Sequence, residues 1–270
     1  MYVTKALGEK EEFDVEKIRW TCLRAGASKQ LVDRIVKEVE AKAYDGITTR
    51  EILHLILKLL EEEPEAAIRY DLKRAIMNLG PTGFPFEKFM AEVLQNYGYE
   101  TKVGEIVNGK CVSHEIDIIA EKEGVRHLVE CKYHNTPGNR TGLEVVMYTY
   151  ARFLDLGEKF NQAWLICNTK CTTEAEQYGK CVGVKVTSWN YPNMESLEEM
   201  VEKKKLYPIT ILRSVTGPIG ERLFQARVML AKDLLDHDLE DLKRTTGLPQ
   251  KVLDGIREEA RKIIIDNKND

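Results

Sequence analysis

Nowhere does this chain approach the roughly 18 consecutive apolar residues of a membrane span. Its first residues, MYVTKALGEK, lack the apolar centre of a secretory signal. A protein with no membrane partner, working in the cytoplasm, is the expectation. The phosphate-gripping pattern G-x-x-x-x-G-K-[ST] is also missing, which argues against a motor ATPase. The six cysteines, Cys22, Cys111, Cys131, Cys167, Cys171 and Cys181, form no C-x-x-C pair. Cys167, Cys171 and Cys181 lack a fourth ligand for zinc and read as small hydrophobes. Nor is there an excess of basic charge. The net charge of -4 means that a nucleic-acid partner must be met by a local basic face. No internal repeat or low-complexity tract is present.

What remains is a chain of 270 residues, 43% hydrophobic and 31% charged, long enough for more than one core. Its N-terminal block, residues 1–80, opens with an extended piece from Tyr2 to Leu7 and a turn at Gly8. Four helices are expected after it. Asp14 can cap the first and Ser28 the second, whose Leu31, Ile35, Val39 and Ala43 share a face. Thr48 to Glu51 forms a capping box before the third, and Pro64 opens a fourth that runs to Leu79. Gly80-Pro81 ends that helix, and Pro81 to Pro85 reads as a linker.

The middle block, 81–207, begins with a complete helical stripe of Phe86, Phe89, Met90, Val93, Leu94 and Tyr97, with Glu87 at its edge. Three antiparallel strands follow, near Tyr99–Val107, Cys111–Ala120 and Val125–Tyr133. Asn108-Gly109 and Glu121–Gly124 are the turns between them. The polar residues here are the unusual feature. Asp117 stands among Ile116, Ile118 and Ile119, and alternation along the third strand puts Glu130 and Lys132 side by side on one face. Buried charge without a partner is costly, so the set needs a reason. Two carboxylates and a backbone carbonyl make a hard oxygen site suited to Mg²⁺. A neighbouring lysine can position a water and stabilise charge growing on phosphorus. His114, His127 and His134 read as structural, with His134 kept as a possible phosphate contact.

The last block, 208–270, carries Ile219, Leu223, Ala226, Leu230 and Leu234 on one helical side, then two helices joined at Gly247. Pro249 opens the final helix, and Asp266–Asp270 is expected to fray.

These blocks resemble three known modules. Val3-Thr4-Lys5, Gly8, Phe13-Asp14, Glu16-Lys17-Ile18, Tyr44 to Thr49 and Tyr70 to Arg74 are similar to the ATP-cone, a nucleotide-sensing domain. That resemblance implies ATP or dATP as an effector, with Lys5, Glu11, Lys17, Thr49 and Arg74 at the nucleotide. Ala6 and Leu53 stand where the family commonly has arginine and histidine. If nucleotide binding is lost, the cone serves as a linker or oligomerisation domain.

Glu87, Asp117 and Glu130-x-Lys132 resemble the Mrr-like branch of the PD-(D/E)xK restriction endonucleases. This implies a Mg²⁺- or Mn²⁺-dependent DNA endonuclease, with catalytic Glu87, Asp117, Glu130 and Lys132, of which Asp117 and Glu130 hold the metal. The helix near 143–156, the strand 163–167, the capped helix at Thr172 and the strand 182–186 continue the likeness, down to a terminal helix near 194–205. No clear counterpart exists for the family's glutamine.

The Gly247 turn looks like a helix-hairpin-helix, a DNA-phosphate module, with Lys243, Arg244, Lys251 and Arg257 as its cations. An ordinary helical packing module reads equally well. The expected fold is therefore multidomain α/β: a mostly helical cone, a central mixed β-sheet flanked by helices, and a small all-α C-terminal domain. Cones often pair and double-strand cutting usually needs two sites, so a homo-oligomer is expected. A non-cutting, nucleotide-responsive DNA-binding regulator and a structure-selective repair nuclease are the alternative functions.

Overall fold

Strands β1 (Tyr2–Thr4) and β2 (Lys10–Glu12) open the chain as an antiparallel hairpin. The structure is a computed structural model that describes residues 1–265. The segment Asp266–Asp270, expected to fray, lies outside the described residues. Helices α1 (Val15–Arg24), α2 (Lys29–Lys42) and α3 (Thr49–Leu60) start where short polar side chains can take free N–H groups. Asp14 accepts from Glu16 and Lys17, Ser28 from Leu31, and Thr48 forms the reciprocal capping box with Glu51. Ile18, Cys22, Leu31, Ile35, Val39, Ile52, Ile56 and Leu60 close a core of their own.

The expected fourth helix is two helices, α4 (Pro64–Tyr70) and α5 (Leu72–Met77). They are divided at Asp71, whose φ of -90° and ψ of 8° lie outside the α region. Ile68, Leu72, Ala75, Ile76 and Leu79 belong to the core of the following block rather than to that of the first.

Helix α6 (Phe84–Asn96) then packs on strands β3 (Glu100–Asn108), β4 (Ser113–Lys122) and β5 (Val125–Lys132). Glu123 and Gly124, at φ 52° and 76°, make the tight β4–β5 turn that the strand twist favours. Between β3 and β4 the register pairs Asn108 with Ser113. The connection is thus a longer loop, closed by Gly109 N–H on Val112 O at 2.7 Å and by the Asp155 carboxylate on the N–H groups of Cys111 and Val112.

The chain continues through β6 (Arg140–Thr141), α7 (Leu143–Leu156), β7 (Gln162–Cys167), β8 (Lys170–Cys171), α8 (Thr173–Val182), β9 (Lys185–Thr187) and α9 (Leu197–Lys203). The main sheet has the order β3-β4-β5-β7-β9, antiparallel at first and parallel from β5 onward. Ile118, Ala120, Val129, Cys131, Trp164 and Ile166 face α6. Ala163, Leu165, Cys167 and Val186 face Val146 of α7 and Ala175 of α8. This multidomain α/β architecture is a sheet between helical layers, with a helical block before it and another after.

The stripe expected to run from Ile219 to Leu234 is interrupted, giving α10 (Gly217–Gln225) and the short α11 (Asp233–Asp236). Helices α12 (Leu239–Thr246) and α13 (Gln250–Ile265) complete the chain, and Gly247 caps α12 in the left-handed region. Leu223, Leu230, Leu234, Leu242, Leu253, Ile256 and Ile263 join the α6 side of the sheet in one continuous core. Among the described residues no helix is long and apolar enough to cross a membrane.

Candidate active site

Asp117 stands where two strands part. The β4–β5 ladder runs from Lys122↔Val125 to Ile118↔Val129 and stops. The next pair in that register is Asp117 with Glu130. There the strands separate, and the Asp117 carboxylate accepts the Cys131 N–H at 2.7 Å in place of a ladder bond. On the other side of β4, Gly104 falls opposite Asp117 in register and takes a φ of 70°, a local bend of the kind that re-aims a side chain. Ile116 shares this departure, leaving the alternation of Ile118 and Ala120 to pack with Ile119 and Leu128.

β5 then brings Glu130 toward α7. Leu128 packs on Leu156, and Glu130, two residues on, meets Arg152 four residues before Leu156. Arg152 is buried, and its guanidinium bonds both the Glu130 carboxylate and the Glu115 carbonyl. The partner of Glu130 is therefore not Lys132, its neighbour on the strand face. Lys132 is exposed, and among the described residues it forms no ion pair. Glu87 enters from the α6 side. A Cβ built on Gly83 would lie 3.5 Å from Glu87 Oε1 and 4.0 Å from Tyr133 Cβ.

The electrostatics agree with this convergence. Burial, then the charges of Asp117 and Glu115, raise the Glu87 carboxyl to about 7. Burial and then Asp117 raise Glu130 to about 7, against the opposing pull of Arg152 and Lys132. Asp117 is raised by burial, with the Cys131 N–H acting against it. The three acids thus lie near enough for Asp117 to raise the other two, with less positive charge beside them than offsets their burial. Two of them, Asp117 and Glu130, could hold a hard divalent ion. Among the described residues no group of three or more His, Cys, Asp or Glu side chains forms a metal site. A carboxylate pair fits Mg²⁺ all the same, because that ion keeps several waters and is commonly held by one or two carboxylates together with substrate phosphate.

Arg152 escaped the sequence reading. The available signal was its place with Val146, Thr149 and Leu156 on the sheet-facing stripe of α7, where an arginine needs a buried acid. Arg152→Ala is expected to cost about 3–5 kcal/mol of stability by leaving Glu130 buried without its counter-charge. Urea unfolding measures it, and a loss below about 1 kcal/mol would show that the pair contributes as an exposed one does.

The histidines are held structurally. His114 Nε2 lies 2.8 Å from Asp155, and His127 packs on Tyr99 and Trp164. The His134 backbone exchanges two hydrogen bonds with the Asn168 side chain, at 2.8 and 2.7 Å. Cys167 and Cys171 have sulfurs 3.4 Å apart in the core, while Cys181 is exposed, so the three do not converge.

In the N-terminal block, Lys5 and Lys17 both pair with Glu11, whose carboxyl they lower to about 2, Lys17 more than Lys5. Thr49 is the first residue of α3. Arg74 lies apart from that group. It lines a cavity of about 560 Å³ with Thr21, Leu53, Lys73, Asn135 and Trp189. In the last block, Lys243 and Arg244 pair with Glu240 and Asp241 one turn away. Lys251 is exposed, and Arg257 is half-buried with its Nε lacking a partner among the described residues.

Family models match three stretches: an ATP cone domain over residues 1–75, a restriction endonuclease domain of the Mrr catalytic type over 81–197, and an AF1548-like C-terminal domain over 207–264. An uncharacterized protein of Archaeoglobus fulgidus is 45% identical over 176 residues, which are 65% of this chain and 99% of that protein. The crystal structure of a protein of unknown function, AF1548, is 42% identical with a TM-score of 0.62, over 68% of this chain and 98% of that one. The structure of Can2 from Sulfobacillus thermosulfidooxidans with cyclic tetra-adenylate is 14% identical, with a TM-score of 0.36 over 73% of this chain and 64% of that one.

Proposed function

We propose that this chain, which belongs to the AF1548-like family and carries an ATP cone ahead of its restriction-endonuclease-like domain, is a divalent-metal-dependent DNA endonuclease regulated by ATP or dATP. One observation carries the reading: Asp117 stands at the fork of β4 and β5, in register with Glu130, with Lys132 two residues beyond.

Asp117 and Glu130 would hold the Mg²⁺ or Mn²⁺ ion. When bound, such an ion neutralises phosphate charge and makes a nearby water more acidic. Lys132 donates to the attacking water and to the phosphate oxygens, where negative charge grows as the new P–O bond forms and the leaving oxygen departs. Glu87, held at about 7, can take or return a proton from water near neutral pH. Arg152 fixes one Glu130 oxygen against α7, which would leave the other for the ion.

At the cone, the phosphates of a nucleotide would compete with Glu11 for Lys5 and Lys17. Thr49 and Arg74 would contact the remainder of the ligand. The cavity beside Arg74 is within the usual size for a small-molecule site. Lys243, Arg244, Lys251 and Arg257 would contact the DNA backbone, positioning the duplex without reading its sequence. Three domains, 1–80, 81–207 and 208–270, would divide these tasks, and a homodimer or higher oligomer would supply a second active site for double-strand cleavage.

Incubation of the 270-residue chain with supercoiled plasmid, linear duplex and branched DNA tests the reading. Nicked or cut product is expected with Mg²⁺ or Mn²⁺ and none with EDTA. Absence of product on every substrate would contradict it.

A further inference from the structure

Tyr133 follows Lys132 directly, at the point where β5 ends. Its side chain leaves the sheet for the end of the preceding helical block. The hydroxyl donates to the carbonyl of Met77, the last residue of α5, and lies 3.0 Å from the carbonyl of Gly80. The ring packs on Phe86 with centroids 5.6 Å apart, and Tyr133 Cβ and the Glu87 carboxylate both lie beside Gly83, within 4.0 and 3.5 Å of a Cβ built there. One residue thus touches a helix end on one side and the surroundings of Glu87 and Lys132 on the other.

That same helix lines the cavity through Lys73 and Arg74, and so does the loop that Tyr133 begins, at Asn135, Pro137 and Gly138. Arg24 is engaged by Glu198 at 2.7 Å, and Arg69 Nε by the Ala25 carbonyl at 2.7 Å. Lys73 has no ion pair among the described residues, and burial, then Lys170, disfavours its charge, so an anion in the cavity would relieve it. The loop is held at two further points. A Cβ on Gly138 would come within 2.8 Å of Leu7 Cγ, so the hairpin turn after Lys5 rests on it, and His134 is fixed to Asn168. Any shift of α5 against the sheet must therefore strain or release the Tyr133 contact.

Resting on the nuclease reading above, we propose that Tyr133 is the positioning residue through which a nucleoside polyphosphate in this cavity acts on Lys132 and Glu87. Where the ligand reaches Lys73 and Arg74 it draws on α5, and the Tyr133 hydroxyl at the end of that helix carries the movement to the ring on Phe86, the residue before Glu87. The two sites bias one shared element, so the effect is reciprocal: occupancy of the nuclease site changes nucleotide affinity by the same factor.

Tyr133→Phe keeps the ring on Phe86 and deletes only the hydroxyl. Wild type and variant, each as the whole 270-residue chain, are given plasmid and Mg²⁺ with and without ATP or dATP, and nucleotide binding is measured on the same samples by calorimetry. The readout is the ratio of cleavage rates with and without nucleotide, which a general loss of packing does not move. Wild type is expected to change by about fivefold or more, and the variant by less than about twofold although it still binds nucleotide. A variant that keeps the full response, or that no longer binds nucleotide, overturns the proposal. A wild type that binds and cuts with no response overturns the proposal alone. A wild type that makes no product removes the nuclease reading with it. Hydrogen exchange of wild type provides an arm independent of the variant: nucleotide is expected to change protection in 84–88 and 133–138, and unchanged protection there overturns the coupling.

Discussion

Lys132→Ala is expected to slow plasmid cleavage by about 10²–10³-fold while leaving the fold and metal binding intact. The side chain is exposed, and among the described residues it has no carboxylate partner, so truncation removes no buried contact. On the nuclease reading, what it removes is the cation beside the place where charge would grow on phosphate. The two carboxylates remain, so Mn²⁺ should bind as before. Lys132→Arg restores the charge but spreads it over a planar fork of different reach, and recovers part of the rate. Product formation, melting temperature and a Mn²⁺ titration on the same preparations separate these effects. Wild-type rates in Lys132→Ala would remove the residue from the chemistry.

Raising the pH from 5.5 to 8 is expected to turn a protein nearly indifferent to Mn²⁺ into one strongly stabilised by it. Glu87 and Glu130 have folded-state values of about 7, above the ordinary 4.5, and Asp117 is also raised. A raised acid contributes its stability fully below its unfolded value and loses it as pH climbs through the folded one. Without metal, therefore, stability falls between about 4.5 and 7, because the unfolded chain releases its protons first. For Glu130 the loss is about 3 kcal/mol in order of magnitude. A divalent ion favours the deprotonated set and recovers that loss, so its stabilisation grows with pH through the same window. The three acids interact and titrate as a group, so the midpoint belongs to the set. Melting curves with and without Mn²⁺ at a series of pH values read this out. Glu130→Gln should flatten the metal-free profile, and a Mn²⁺ shift independent of pH would count against the site.

Much of the fold was legible because local chemistry and the final packing agree. Asp14, Ser28, Thr48 and Thr172 cap helices as their side chains allow, and the α6 stripe lies on the sheet. Glu87, Asp117, Glu130 and Lys132 stood out for a related reason, being charges in segments otherwise built for burial. The break at Asp71 was hidden because a continuous apolar stripe crosses it, and because Ile68 and Leu72 serve the sheet's core and not the first block's. The single core joining Ile68 to Ile263 depends on long-range packing that no window of sequence contains. Arg152 and Tyr133 were missed for the same reason, since each takes its meaning from a partner on another element. The fork at Asp117 needed the register of β4 on β5, and Gly104 opposite it marks the bend only once that register is known.

On the nuclease reading, phosphodiester cleavage depends on the carboxylate at the fork. Supercoiled plasmid is incubated with wild type and Asp117→Asn in Mg²⁺, after melting curves have shown both to be folded. The substitution keeps the side chain's size and its acceptor for the Cys131 N–H, and removes the charge. Nicked and linear product from wild type, with none above background from the variant, is the predicted result. Cleavage that persists at the wild-type rate in Asp117→Asn would contradict the account.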